Sequence, residues 1–272
     1  MRGECLAPRV VLRHGCASAA VSTAAYNAAQ RLLAVAFADG RIQLFGGICE
    51  EYTLASDCRT ATTALHFLRD KPFLLRVSSQ NEVELWNLRS LALQSSTLWA
   101  GEITATCPLP HAPAFVLVGE EDGGVRAARF SNSGTVEACA YELAPQQLTA
   151  TAEDGGARVV ALVLQPGAED GRLLVAHTCG AVTLVDIPSR EVVARIGSGD
   201  GRLTSATWLD GLSLVTGHSH GALRLWSLPD AAAPSRAVPG ATASGVLVSE
   251  LRLGDSDVLL LNTVRTSTTG LL

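Results

Sequence analysis

The sequence predicts an all-β protein built from one four-stranded unit used repeatedly. Three observations carry this reading. A passage of constant layout recurs five times along the chain. Each copy contains a two-residue turn suited to a tight hairpin, and strand-type alternation rather than helical spacing surrounds every turn. The copies are LLAVAFADGRIQLFG (32–46), FLLRVSSQNEVELWNL (73–88), AFVLVGEEDGGVRAARF (114–130), RLLVAHTCGAVTLVDI (172–187) and LSLVTGHSHGALRLWSL (212–228). Their turn pairs are Asp39-Gly40, Gln80-Asn81, Asp122-Gly123, Cys179-Gly180 and His220-Gly221, and the second members lie 41, 42, 57 and 41 positions apart. Repetition at this period, with strands grouped in fours, is the signature of a WD40-type β-propeller.

Each element of the unit has its own warrant. Gly, or Asn in its place, tolerates the positive φ of a tight hairpin turn. The run after the turn alternates, as in Val83-Glu84-Leu85-Trp86, so that one side chain in two meets a packed neighbour. A further strand precedes each hairpin, at Val21–Tyr26, Thr62–Phe67, Ile103–Cys107, Val159–Leu164 and Leu203–Trp208. A fourth follows in most units, for example Thr135–Tyr141 and Glu191–Ile196. The blades are therefore expected at about 20–57, 60–98, 101–143, 157–198 and 201–230. The surplus of 15 residues between the third and fourth turns falls in Ala144–Ala157 and in the Gly167–Gly171 turn, read as loops on the faces of the disc.

After a Pro/Ala-rich linker at 229–243, Val246–Leu251 and Val258–Leu261 are read as the start of a partial sixth blade, 244–272. An unclosed ring leaves sheet edges and one blade face bare. The expectation is an incomplete seven-bladed ring, from a fragment or truncated gene model or one closed by a second chain.

Composition narrows the function classes. Of 272 residues 47% are hydrophobic and 17% charged, enough for a large core. No apolar run reaches the roughly 18 residues that span a bilayer. The net charge is −5, with scattered arginines and Lys71 as the one lysine, so the basic stripe that nucleic-acid binding needs is missing. The seven cysteines form no CxxC pair, and their odd count and irregular spacing suit reduced thiols in a cytoplasmic protein. The N-terminus lacks a signal-peptide layout.

Several patterns invite a sharper chemistry. His218-x-His220 looks like a metal pair, but a site needs three or four converging ligands, and both positions align with turn residues of sister units. A turn histidine bonded to a neighbouring strand is the expected role, with no metal and no cofactor. Glu120-Glu121-Asp122 and Glu50-Glu51 offer paired carboxylates; at a hairpin tip the first cluster is expected to be solvated, and the second reads the same way. Gly197-Ser-Gly199-Asp-Gly201 could cradle phosphate only before a helix, whereas a strand follows. With no GxSxG and no Cys–His spacing to argue from, an enzyme is not expected. Trp86 and Trp226 end equivalent strands and are expected to fill the wedge between neighbouring sheets. Trp99 falls between blades and is the candidate exposed partner contact; Trp208 lies outside the register.

Four passages resemble the tomosyn and lethal-giant-larvae family of WD-repeat proteins. They are RHGCASAAVSTAAYNAAQRLLAVAFADGRIQLFGGICEEY (13–52), TTALHFLRDKPFLLRVSSQNEVELWNLRS (62–90), LLVAHTCGAVTLVDIPSRE and SATWLDGLSLVTGHSHGALRLWSL. The second departs at Gln80-Asn81, where Asp is common. The resemblance covers roughly 9–230. It implies a non-catalytic scaffold with two seven-bladed propellers that binds syntaxin-type SNAREs and regulates SNARE-dependent vesicle fusion and exocytosis. It further implies a cytoplasmic location with peripheral attachment at the plasma membrane through partners. The vesicle-SNARE-like tail of the tomosyn branch has no counterpart in these residues. The alternative is a generic WD40 adaptor in a signalling or ubiquitin-ligase complex, docking through Ala144–Ala157 or Trp99.

Overall fold

A computed structural model describes residues 19–46, 50–54, 59–131, 135–149, 157–167, 171–196, 202–228 and 243–258. It shows a WD40-type β-propeller of five four-stranded antiparallel blades. Blade one contains β1 (Val21–Asn27), β2 (Leu32–Phe37), β3 (Ile42–Gly46) and β4 (Glu50–Leu54). Blade two contains β5 (Thr62–Phe67), β6 (Phe73–Ser78), β7 (Glu82–Asn87) and β8 (Ala92–Leu98). Blade three contains β9 (Ile103–Pro108), β10 (Phe115–Glu120), β11 (Val125–Phe130) and β12 (Val136–Leu143), followed by a one-turn helix, α1 (Pro145–Leu148). Blade four contains β13 (Val159–Leu164), β14 (Arg172–His177), β15 (Val182–Asp186) and β16 (Val192–Ile196). Blade five begins with β17 (Leu203–Trp208), β18 (Ser213–His218) and β19 (Ala222–Ser227).

The fourth strand of blade five corrects the reading of the C-terminal region. A two-residue strand, β20 (Ala243–Ser244), runs parallel to the edge of β16 in blade four. The chain then returns as β21 (Val246–Arg252), which pairs antiparallel with β19 from Ala222↔Arg252 to Ser227↔Val246. Val246–Leu251 thus completes the fifth blade and does not open a sixth. The register of β21 slips between Leu247 and Ser249, skipping Val248. The outer strands of blades two and four slip in the same place, skipping Gln94 and Val193. Residues 229–242 and 259–272, which include most of the expected linker and Leu261, lie outside the described residues.

The two middle strands of a blade are buried on both faces, and their alternation sends successive side chains into different wedges. Leu74 and Trp86 pack with Ala34, Leu44 and Leu54 between blades one and two. Their neighbours Leu75 and Leu85 pack with Val116, Val118 and Ala128 between blades two and three. Leu173 and Val175 share a core with Leu117 and Val125, and Leu174 and Ala176 share the next with Leu214 and Trp226. Near-continuous apolar runs such as FVLV follow from this two-sided burial.

The inner strand of every blade carries a one-residue bulge, at Ser22, Thr63, Thr104, Val160 and Thr204. In four blades the bulged hydroxyl donates to the carbonyl of Ala36, Val77, Gly119 or Gly217 on the second strand, at 3.0–3.2 Å. A bulge strips a ladder partner from the backbone, and the hydroxyl replaces it.

The hairpin turns have positive φ at Gly40, Asn81, Gly123, Gly180 and Gly221. At Gly123, φ is +85° and an added Cβ would lie 2.6 Å from the Ala157 carbonyl oxygen of the next blade. The site therefore excludes a side chain for two separate reasons. Gly123→Ala is expected to destabilise the protein by at least about 1 kcal/mol, seen as a lowered urea midpoint.

Candidate protein-docking surface

Two-sided burial has a cost wherever a middle strand carries a polar residue. At one register position the third strand is polar in all five blades, with Gln43, Glu84, Arg126, Thr183 and Arg224 opposite Val35, Arg76, Val118, Val175 and Thr216. Each polar side chain finds a partner. Gln43 donates to Glu51 at 2.9 Å, Thr183 donates to the Leu148 carbonyl at 2.6 Å, and Arg224 donates to Glu250 at 2.9 Å.

In blade two the pair is wholly buried. Arg76 Nη1 lies 2.8 Å from Glu84 Oε1, with 0% and 2% of the side chains exposed. Arg76 also donates to Thr62 Oγ1 and the Thr60 carbonyl, and Trp86 Nε1 donates to Glu84 Oε2 at 2.9 Å. Trp86 sits in the wedge against blade one. Trp226 holds the equivalent place in blade five, where its Nε1 donates to Thr216 Oγ1 at 2.9 Å and His218 Nε2 meets the same oxygen at 2.8 Å. His218 is fully buried while His220, at φ +61°, is exposed, so the two histidines point apart. Among the described residues no three His, Cys, Asp or Glu side chains form a metal-holding group.

The last residue of the second strand is also buried throughout, as Phe37, Ser78, Glu120, His177 and His218. Glu120 is 3% exposed, which corrects the reading of it as solvated, whereas Glu121 and Asp122 of the same cluster are exposed. Its Oε1 accepts from Trp99 Nε1 at 2.6 Å and its other oxygen pairs with Arg126. Trp99 is correspondingly 7% exposed and packs between blades two and three, so it is not an exposed contact. The carboxylate gives the indole N–H a buried partner, which an interblade position alone did not reveal.

The turn residues bind their own backbone or the next blade. Asp39 accepts from the Arg41 amide and guanidinium, and Asp122 Oδ1 accepts from the Gly124 amide. Asn81 Oδ1 accepts from the Ile103 amide of blade three at 2.9 Å, and its carbonyl accepts from Trp99 N. Asn at this turn therefore adds an interblade tie that Gly could not supply. The Gly123 carbonyl accepts from His177 Nε2 at 2.9 Å, while His177 Nδ1 is buried without a partner. Burial lowers the pKa of His177 and pulls that of His66, whose Nε2 meets Thr106 Oγ1 across the inner strands, down to about 4. Cys107, Cys139 and Cys179 are free thiols, and burial pushes Cys107 up to about 12. Residues 197–201, and 150–156 of the Ala144–Ala157 segment, lie outside the described residues; Pro145–Leu148 is helical rather than loop.

Two of the clefts formed by described residues lie on opposite faces of the disc. On the face carrying the second-to-third-strand turns, about 630 Å³ is bounded by Gly101, Glu102, Glu120, Glu121, Asp122 and Arg126. On the opposite face, a cleft of about 620 Å³ lies between blades three and four, lined by Leu109, Pro110, Leu164, Pro166, Ile187 and Pro188, among others. Its walls come from the first-to-second-strand connections of these blades, through Leu109–Ala112, Gln165–Gly167 and Gly171; these connections are six and seven residues long against four or five in the other blades, and residues 168–170 lie outside the described residues. Hydrogen bonds hold them: Leu109 N to Phe115 O, Gln165 N to Arg172 O, Ile187 N to Gly171 O, and Gln165 Nε2 to Gly211 O.

No protein-family model matches the chain. It is 23% identical over 225 residues to the zebrafish (Danio rerio) protein LLGL scribble cell polarity complex component 2, covering 76% of this chain and 22% of that one. The chain thus spans about a fifth of that relative's length. Its fold is similar to the Myceliophteria thermophila Cps50 (Swd1) β-propeller domain, with a TM-score of 0.68 and 16% identity, covering 86% of this chain and 72% of that one. A chain of the mitotic checkpoint complex gives 0.66 and 13%, covering 89% and 67%.

Two outcomes follow from the buried groups. Glu84→Ala strands a buried guanidinium and is expected to cost about 3–5 kcal/mol in urea unfolding. His66 and His177 have lowered folded pKa values, so the unfolded chain binds more protons below pH 6.5. Stability should be unaffected by these groups above 6.5 and fall as pH drops towards 4; His66→Gln should flatten that fall in midpoints taken between pH 7.5 and 5. The chain folds as a WD40-type β-propeller and is distantly similar to the zebrafish LLGL scribble cell polarity complex component 2.

Proposed function

We propose that the chain is a non-catalytic protein-interaction scaffold that regulates SNARE-dependent vesicle fusion by binding syntaxin-type SNAREs. The observation that carries the trafficking assignment is the ordered match to lethal-giant-larvae-type blades, supported by the similarity to the zebrafish LLGL protein over 76% of the chain. The scaffold part is supported by the described polar clusters, whose bonds are closed within a blade at Arg76–Glu84 and Trp226–Thr216–His218 and between blades at Trp99–Glu120–Arg126. Binding would draw the chain to the cytoplasmic side of the plasma membrane as a peripheral component. No helix among the described residues is long and apolar enough to cross a membrane.

A generic WD40 adaptor role is the second reading, favoured by fold neighbours that include a chain of the mitotic checkpoint complex. With Trp99 buried, that reading rests on the turns and on the 144–157 segment, of which residues 150–156 lie outside the described residues. Pull-down with purified cytosolic domains of syntaxin-class SNAREs separates the two. Saturable capture by the chain, absent with an unrelated coiled coil, is the expected outcome; no capture ends the SNARE assignment and leaves the adaptor reading.

A further inference from the structure

We infer that the outer edge of blade two takes up an extended, uncharged segment of a partner protein as a fifth strand; this rests on the scaffold reading. Blade four already contains such a strand, since β20 pairs with Ala194 and Arg195 on the outer edge of β16. Gly245 N donates to the Arg195 carbonyl at 3.2 Å, so Arg195 turns its backbone groups outward. The added strand begins directly after Val193, the residue that the register of β16 skips, so the skip does not block it.

β8 offers the same edge without the added strand. Its register skips Gln94, and Ser95 and Ser96 then stand opposite Leu85 and Glu84, as Ala194 and Arg195 stand opposite Leu184 and Thr183. Trp99 N donates inward to the Asn81 carbonyl at 2.9 Å. By alternation Ser96 and Leu98 present their N–H and C=O groups outward. No described strand pairs with that side, and blade two lies wholly within the continuously described stretch 59–131.

Side chains select the occupant. An open edge is normally guarded by charge, proline or cover. β4 carries Glu51, β12 carries Glu137 and Glu142, β21 carries Glu250 and Arg252, and β16 is covered by β20. Among the five outer strands only β8, ALQSSTL, has no charged residue, no proline and no described cover. Leu93, Ser96 and Leu98 share one face, opposite Trp86, Glu84 and Glu82, and the two leucines are 43% and 74% exposed. Glu82, opposite Leu98, accepts from Ser96 Oγ. A fifth strand therefore bonds its backbone to Ser96 and Leu98 and lays uncharged side chains beside the leucines. The segment at the blade-four edge, Ala243-Ser244-Gly245, is likewise uncharged.

Panning a random decapeptide phage library on the 272-residue chain, with counter-selection on Ser96→Pro, tests this. Proline removes an outward N–H, a change that edge strands tolerate. Enriched sequences should be uncharged, with Val, Ile, Leu, Thr or Ala at alternate positions. The enriched peptide should slow hydrogen exchange at the amides of Ser96 and Leu98 by at least about tenfold. In fluorescence anisotropy, Leu98→Lys, at an exposed position and with its urea midpoint unchanged, should weaken the peptide by at least about tenfold. Ser96→Ala keeps the N–H and should bind as the parent chain does, which ties the loss to the backbone. Charged enriched sequences, equal binding to Leu98→Lys, loss of binding in Ser96→Ala, or no binder surviving counter-selection each overturn the edge. In sedimentation velocity the chain should remain a monomer; self-association that Leu98→Lys abolishes gives the edge to a second copy and overturns the partner. Every one of these failures leaves the scaffold reading to be decided by the SNARE pull-down.

Discussion

The wedge between neighbouring blades is the contact on which this molecule depends. A four-stranded sheet this small cannot bury itself, so each blade uses both faces against its neighbours, and the middle strands must be apolar on both sides. Leu74 and Leu75, adjacent in sequence, serve two different cores. Trp86 and Trp226 belong to the same scheme: each fills a wedge with its ring and spends its one N–H inside its own blade. Because every wedge joins two blades, the chain's stability is distributed along the repeat rather than held in one centre.

Polar groups enter this scheme only where their bonds can be closed. The third-strand position held by Gln43, Glu84, Arg126, Thr183 and Arg224 shows the rule with four kinds of side chain. Buried ion pairs are weak sources of net stability but costly to break, and they fix register because only one alignment satisfies both partners. Arg76 and Glu84 lie directly opposite across β6 and β7, so a slip by one residue would leave both unpaired in an apolar wedge. The bulge hydroxyls of Ser22, Thr63, Thr104 and Thr204 solve the same problem for the backbone.

How much of this was legible in the sequence follows from distance along the chain. The hairpins were readable because the turn and both strands lie within about one and a half dozen residues and obey local rules. The fourth strand of blade five was not, because an outer strand of one blade and an inner strand of the next share the same alternation, and a Pro/Ala-rich segment between them looks like a boundary. Trp99 and Glu120 are 21 residues apart, and nothing in either neighbourhood announces the other. Glu120 read as surface because Glu and Asp at a turn are usually wet; Arg126 and the indole N–H make its burial tolerable. The asymmetry between blades three and four was partly visible, since the surplus residues include the Gly167–Gly171 turn.

That surplus also bears on where recognition can arise. Wedge residues cannot change without disturbing two blades, and the short turns of blades one and five offer little surface. The longer turns of blades three and four are free of both limits, and they face each other across one wedge. Pro110 and Pro166 fix φ at one position in each, and the Arg172 carbonyl at the start of β14 accepts from Gln165 N. A propeller makes a docking site cheaply in this way: the wedge supplies an apolar floor already shielded by neighbouring blades, and lengthening two adjacent turns raises walls around it. The opposite rim, of about the same size, gathers Glu102, Glu120, Glu121 and Asp122 around Arg126, so its carboxylates share one guanidinium.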